Sequence, residues 1–315
     1  MAVYTHVTAT MLQEFLIPYR IGELQSFSGI AEGVENSNYL LTLTTGAYIL
    51  TLFEKRVREE DVPFFLALTE HLAGRGVPCP KPVRRPDGNA LGTLAERPAA
   101  IVGFLPGRSV LQPAAPDCTA LGALLADLHR AGADFPLRRA NTVNAASWMK
   151  LLTAGSDGGD LARRARVQCG AALAAWPTDL PAGIIHADLF PNNVLFDGGK
   201  LCGVIDFYFA CHDFLAYDLA ICINAWCADQ AGCIDDARAR ALLRAYHARR
   251  ALTAAEIDAM SVLLQGAALR FLATRQYDWV HWQEGALVTP HDPAEYARIL
   301  DFHIAHPAAV RKWLP

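Results

Sequence analysis

The stretch His186-Ala187-Asp188-Leu189-Phe190-Pro191-Asn192-Asn193, continued by VLFDGGKLCGVIDF to residue 207, decides how the rest of the chain is read. Ile184-Ile185, Val194–Phe196 and Leu201–Ile205 are short runs of β-forming residues, so the motif is expected in a loop between strands, with a turn at Asp197-Gly198-Gly199. Asn193 follows Asp188 by five positions, and Asp206 follows Asn193 by 13. An isolated His-x-Asp tripeptide is commonplace and carries nothing. Three oxygen-bearing side chains at these offsets, with a hairpin-length return before the last, carry more. A carboxylate beside an alcohol can orient the hydroxyl and accept its proton. An amide oxygen and a second carboxylate are the hard ligands that Mg²⁺ prefers. The arrangement suits transfer of a phosphoryl group, a reaction run mainly by positioning and electrostatics. Asp188 is then the candidate catalytic base, and Asn193 and Asp206 the candidate metal ligands. His186 is read as a structural residue that holds the loop backbone.

Working outward, Tyr39–Leu43 and Tyr48–Phe53 flank Thr44-Thr45-Gly46-Ala47, which reads as a hairpin. Val62, Phe65, Leu66, Thr69 and Leu72 recur with helical spacing inside residues 59–73, and Gly74, Gly76 and Pro78 end that helix. Ala99–Phe104 is an apolar strand that stops at Pro106-Gly107. The first hundred residues are therefore expected to be strands with one helix. Beyond Gly107 the pattern turns helical. Asp117 is the candidate N-cap of a helix carrying Leu121, Leu124, Leu125 and Leu128, residues 154–160 (AGSDGGD) form a loop, and helices fill most of 213–305. The expected fold is α+β and protein-kinase-like: a small antiparallel-sheet N-lobe over residues 1–105 and a larger, mainly helical C-lobe over 106–315. In that fold class ATP occupies the cleft between lobes, which is an analogy of fold rather than a reading of the residues.

The 315 residues include 28 Lys and Arg against 32 Asp and Glu, a formal net charge of −4 with no basic block, so neither nucleic acid nor an anionic membrane is an expected partner. The N-terminus lacks the basic and apolar regions of a signal peptide, and no run of about 18 uninterrupted apolar residues suggests a membrane span. Eight cysteines without a CxxC pair are expected to be reduced and mostly buried, in a cytoplasmic protein.

HADLFPNNVLF followed by VIDF resembles the catalytic core of the aminoglycoside-phosphotransferase and choline-kinase superfamily. Gly107 in FLPGRS, Leu121–His129 (LGALLADLH) and Ala216–Ala220 (AYDLA) resemble further landmarks of that superfamily. Other segments are similar to its homoserine-kinase family: 33–56 (GVENSNYLLTLTTGAYILTLFEKR), 76–83 (GVPCPKPV), 218–227 (DLAICINAWC), 268–278 (ALRFLATRQYD) and 287–300 (LVTPHDPAEYARIL). ATP chemistry does not dictate these segments, so they speak to the acceptor. The resemblance implies transfer of the ATP γ-phosphate, with Mg²⁺, to the side-chain hydroxyl of L-homoserine. The product would be O-phospho-L-homoserine, on the way to threonine. An aminoglycoside, choline or a sugar as acceptor, and a non-catalytic pseudokinase, stand as alternatives.

The resemblance also locates a departure. Where such kinases carry a strand Lys or Arg against the phosphates, this chain has Thr51, and either Lys55 or Arg56 substitutes from the strand end or the cation is absent. The facing helix offers Glu59, Glu60 and Glu70, with Phe64-Phe65 near the expected Glu. No GxGxxG covers the phosphates, which leaves Gly29–Asn38, with Ser37 and Asn38 as candidate nucleotide contacts. Adenine would pack on Leu195 and bond the backbone near Val102–Phe104. For a zwitterionic acceptor, Arg270 and Arg275 are candidate carboxylate ligands, Arg270 alternatively a structural ion pair, and Asn224 and Trp226 candidate pocket residues. Asp213 and Asp218 are read as structural.

Overall fold

The computed structural model describes residues 5–30, 36–54, 57–156, 158–282 and 289–314. They fold as two compact units, Met1–Gly107 with Cys202–Tyr208, and Arg108–Leu201 with Phe209–Pro315.

The first unit runs α1 (Ala9–Leu16), β1 (Leu24–Gly29), β2 (Ser37–Leu43), β3 (Gly46–Leu52), α2 (Val62–Gly74), β4 (Leu91–Leu94) and β5 (Arg97–Gly103). Its strands make one antiparallel sheet in the order β1-β2-β3-β5-β4. Strict alternation of buried and half-buried residues along β2 sends Tyr39, Leu41 and Leu43 to one face. There they pack with Leu50, Leu52, Ile101 and, from α1, Leu12 and Leu16. On another cluster, Val62 and Leu66 of α2 pack with Phe53 and Ala100. The expected hairpin is β2–β3, with Leu43 opposite Gly46. The expected helix is α2, opened by a 3-10 turn over Glu59–Asp61. Where one helix was expected in this region, the described residues hold two α-helices. Only Leu12 and Leu16 of the eight residues in α1 are buried, too few to show a helical period in sequence.

The second unit contains β6 (Arg108–Ser109), α3 (Ala115–Ala131), α4 (Ala145–Ala154), α5 (Asp160–Ala174), β7 (Ala182–Ile185), β8 (Val194–Asp197), the start of β9 (Lys200–Val204), β10 (Cys211–Phe214), α6 (Leu215–Cys227), α7 (Asp236–Arg249), α8 (Ala254–His281), α9 (Pro293–Ala305) and α10 (Val310–Trp313). β7 pairs antiparallel with β10, and β6 with β8. Gly198 and Gly199, at φ 54° and 77°, make the turn out of β8, as a two-residue hairpin of this hand requires. The Asp117 expectation needs correction. The N-cap of helix α3 is Ala114, three residues earlier, so Asp117 lies inside the first turn and its carboxylate accepts from the Ala114 N–H at 2.8 Å. Gly122 lets α3 approach α7, because a Cβ there would strike the Leu242 carbonyl.

A sheet-built unit and a helical unit are the two parts of the expected α+β fold. Among the described helices α8 alone is long and apolar enough to cross a membrane, yet 61% of its most apolar 18-residue window is buried inside the protein, and Arg270 and Gln276 of this helix are buried too. All eight cysteines are free thiols, and six of them are buried. Burial pushes the Cys79 thiol up to about 12 and the Cys169 thiol up to about 11.

Candidate active site

The loop His186–Asn193 leaves β7 and closes in a 3-10 turn, Pro191–Asn193, that opens β8. Its centre is strained. Ala187 has φ 64°, left-handed for a residue with a Cβ. Two groups hold it there. The Asp218 carboxylate of α6 accepts the His186 N–H through Oδ2 and the Ala187 N–H through Oδ1, both at 2.8 Å. From α8, Arg270 Nη1 donates to the Ala187 carbonyl. Both peptide groups of Ala187 are thereby fixed, and so is the direction in which Asp188 leaves the backbone.

Asp218 is buried, and burial by itself would raise its pKa. The hydrogen bond from His129 at 3.1 Å, the His129 and His186 rings and the loop N–H donors outweigh that and hold it below the ordinary carboxylate value. His129, at the end of α3, bonds Tyr246 of α7 through its other nitrogen at 2.7 Å. Asp218 therefore ties three helices to the loop and is structural, as expected. His186 is buried too, and its Nδ1 accepts the Asp188 N–H at 3.3 Å. Trp226 of α6 donates from Nε1 to the Leu189 carbonyl at 2.8 Å, which makes it a loop anchor. Asp213 accepts from Asn141 at 2.7 Å.

Asp188 and Asn193 are brought together. Asn193 Nδ2 donates to the Asp188 carbonyl at 2.8 Å and lies 3.4 Å from its Oδ2. With the amide nitrogen turned inward, Oδ1 is the atom left for a cation. That donor set, one amide oxygen beside one carboxylate, fits Mg²⁺ chemistry. Burial raises the Asp188 pKa, and the charges of Arg270 and His186 act against that rise. Arg270 Nη2 lies 3.9 Å from Asp188 Oδ1, with a side chain only 3% exposed. Its guanidinium lies over the rings of Phe271 and Phe209 at 4.2 and 5.2 Å.

Other candidates sit elsewhere in the second unit. Asn224 is buried, and its amide bridges the Leu264 carbonyl at 3.0 Å and His303 Nε2 at 2.7 Å, so it brackets α6, α8 and α9 rather than lining a pocket. Burial drives the pKa of that histidine down to about 3, which keeps it neutral for this bond. Arg275 bonds Glu295 at 2.6 Å and lies over Tyr296 at 4.6 Å. Leu195 lies on β8, opposite Ser109.

In the first unit, Asp206 lies in the segment Cys202–Tyr208 at φ 65°. The segment is held by the Val204 N–H on the Pro78 carbonyl at 2.7 Å and by Tyr208 against Phe53 and Phe65. Thr51 is buried and donates to Asn38 Oδ1 at 2.8 Å, its partner across the β2–β3 pair. The expected cation position is thus closed by a neutral hydrogen bond. Lys55, Arg56 and residues 31–35 lie outside the described residues. Ser37 is buried, accepting from the Thr5 N–H and donating to Glu54, at 3.0 and 2.8 Å. Beside Val102, the Gly103 and Phe104 N–H groups donate to Lys81 and Ala47 carbonyls at 2.9 and 3.4 Å. The Glu54 knot of hydroxyls and the His129–Tyr246 bond carried no sequence signal, because their partners lie 17 to 117 residues apart.

Comparison with known proteins gives the family and the fold. A family model described as "Phosphotransferase enzyme family" matches residues 26–252. The homoserine kinase of Methylobacterium radiotolerans is 54% identical over 96% of both chains. That of Xanthobacter autotrophicus is 54% identical over 97% of both. Among solved structures, amicoumacin kinase in complex with AMP-PNP, Ca²⁺ and Ami superposes with a TM-score of 0.71, covering 98% of this chain and 96% of that one. At 16% identity that likeness speaks to the fold.

Proposed function

This chain belongs to the phosphotransferase enzyme family, and from that premise we propose that it transfers the γ-phosphoryl group of ATP to the side-chain hydroxyl of L-homoserine. The products are ADP and O-phospho-L-homoserine, an intermediate of threonine biosynthesis. One observation carries the acceptor: homoserine kinases match at 54% identity across 96–97% of the chain, which includes the helical segments outside the catalytic loop.

Asp188 orients the acceptor hydroxyl. The hydroxyl oxygen forms the new bond to the γ-phosphorus, the bond from that phosphorus to the bridging oxygen of ADP breaks, and the hydroxyl proton passes to the Asp188 carboxylate. Asn193 Oδ1 and the Asp206 carboxylate are assigned as the ligands that would hold Mg²⁺, which would offset charge on the phosphates. The lobes are assigned as residues 1–105 and 106–315, except that Cys202–Tyr208 belongs with the first. The segment around Ser37 and Asn38 covers the nucleotide through its backbone, since both side chains bond within the lobe. Leu195 of the second unit and the Val102–Phe104 backbone of the first are the candidate adenine contacts. Arg270 positions the loop instead of binding substrate, which leaves Arg275 as the cation for the acceptor. An ATP-dependent step of amino-acid synthesis places the chain in the cytoplasm.

The test is Mg²⁺-dependent ADP release from a panel of L-homoserine, choline, an aminoglycoside and a hexose. The highest kcat/KM is expected with L-homoserine. A higher value with any other member keeps the fold and removes the substrate.

A further inference from the structure

Tyr296 of α9 is a buried ring of the second unit with the Arg275 guanidinium over it. The side chains of Arg275, Glu295, Asp188 and Arg270 all act on its buried ring. Its neighbours connect it to the catalytic loop: Phe190 lies 6.4 Å away and Phe271 5.0 Å away, with Phe190 and Phe271 in edge contact at 4.8 Å. Arg275 lies on the same ring at 4.6 Å, and its charge reaches Asp188.

Two of these charges are only half used. Arg275 spends Nη1 on Glu295 Oε2 at 2.6 Å and on the Asp292 carbonyl at 3.4 Å. Among the described residues its Nε and Nη2 have no hydrogen-bond partner, although the side chain is just 12% exposed. A guanidinium that keeps one edge open can take a carboxylate in the two-pronged geometry that this group favours. Glu295 uses Oε2 for Arg275, has no described partner on Oε1 and is 49% exposed. The other nearby guanidinium, Arg270, is already committed to the Ala187 carbonyl and Asp188.

We infer that Arg275 and Glu295 form a clamp for the amino-acid end of the acceptor, with the free edge of Arg275 taking the α-carboxylate and Glu295 Oε1 taking the α-ammonium. The inference rests on the proposed function and names the groups that make the site selective for a zwitterion. A like-sized alcohol that lacks either charge leaves one half of the clamp without its partner. A site built around polar partners discriminates strongly against that loss. The ring wall of Phe190, Phe271 and Tyr296 is apolar and suits the methylenes between the charged end and the hydroxyl.

The test compares wild type with Arg275→Gln and Glu295→Gln. It reads kcat and KM for L-homoserine, and Ki against it for two truncated analogues. 3-Aminopropan-1-ol lacks the carboxylate, and 4-hydroxybutanoate lacks the ammonium. Each variant is expected to raise KM for L-homoserine ~10- to 100-fold, the loss of one charge-assisted hydrogen-bond partner, with a much smaller change in kcat. Arg275→Gln should weaken 4-hydroxybutanoate and spare 3-aminopropan-1-ol, and Glu295→Gln should do the reverse. Equal losses for both analogues, or an unchanged KM in either variant, would show that the pair merely staples α8 to α9 and would overturn the clamp. Wild-type enzyme that does not phosphorylate L-homoserine would instead remove the function on which it rests, so the two failures are told apart.

Discussion

Ala187 concentrates the cost of building this loop. A left-handed conformation at a residue with a Cβ costs about 1–3 kcal/mol and persists only where the surroundings impose it. Here Asp218 takes its N–H and Arg270 its carbonyl. Arg270 also faces the Asp188 carboxylate, whose burial favours the protonated form. A base must be ionised to accept a proton, so the guanidinium serves the reaction twice. Replacing it, in Arg270→Met, should lower kcat by about 100-fold through misplacement of the loop. The sign of the pH effect follows from the charge. Without the cation the Asp188 pKa rises further, so the acid limb of kcat/KM moves to higher pH, while KM for the acceptor stays near wild type. A pH–rate profile of the variant checks this. A large rise in KM with an unmoved acid limb would make Arg270 the carboxylate ligand after all.

At the scale of elements, Asp218 of α6 joins α3, α7 and the loop through His129, Tyr246 and two backbone donors. Asp218→Ala leaves buried hydrogen-bond donors without their acceptor, and should cost about 1–3 kcal/mol of unfolding free energy. Because the folded pKa is depressed, the stabilisation by Asp218 is present above the ordinary value near 4 and is lost as the pH falls below it. Denaturant unfolding from pH 7 down to pH 3 should therefore show a gap between wild type and variant that narrows toward acid. Much of this scaffold could be read in sequence. The AYDLA and LGALLADLH segments stood out, and the β2–β3 hairpin and α2 announced themselves by period and turn residues. Helix α1 did not, because two buried leucines define no period. The Asp117 position slipped by a partial first turn, the usual uncertainty at a helix end.

At the scale of the whole molecule, the return of Cys202–Tyr208 to the first unit is where sequence order and spatial order part. That segment carries Asp206, and its IDF run is the only mark of it in sequence. Asp188 and Asn193 were legible because chemistry fixes their types and their spacing. The acceptor-side residues were less so. Asn224 lies in a family-like segment yet serves helix packing, since an amide that brackets helices and one that binds a ligand look the same in a string of letters. Glu295 lies in the family-like segment 287–300 but had no role assigned from sequence, and only its contact with Arg275, 20 residues away, brings it out. The proposed reaction depends on one carboxylate held at the crest of a strained loop. The most direct measurement is steady-state turnover of L-homoserine by Asp188→Asn, paired with its Kd for ATP. The account predicts that kcat falls by about 10²–10⁴-fold, the range for loss of a general base, while Kd changes little. Near-normal turnover by that variant would contradict it.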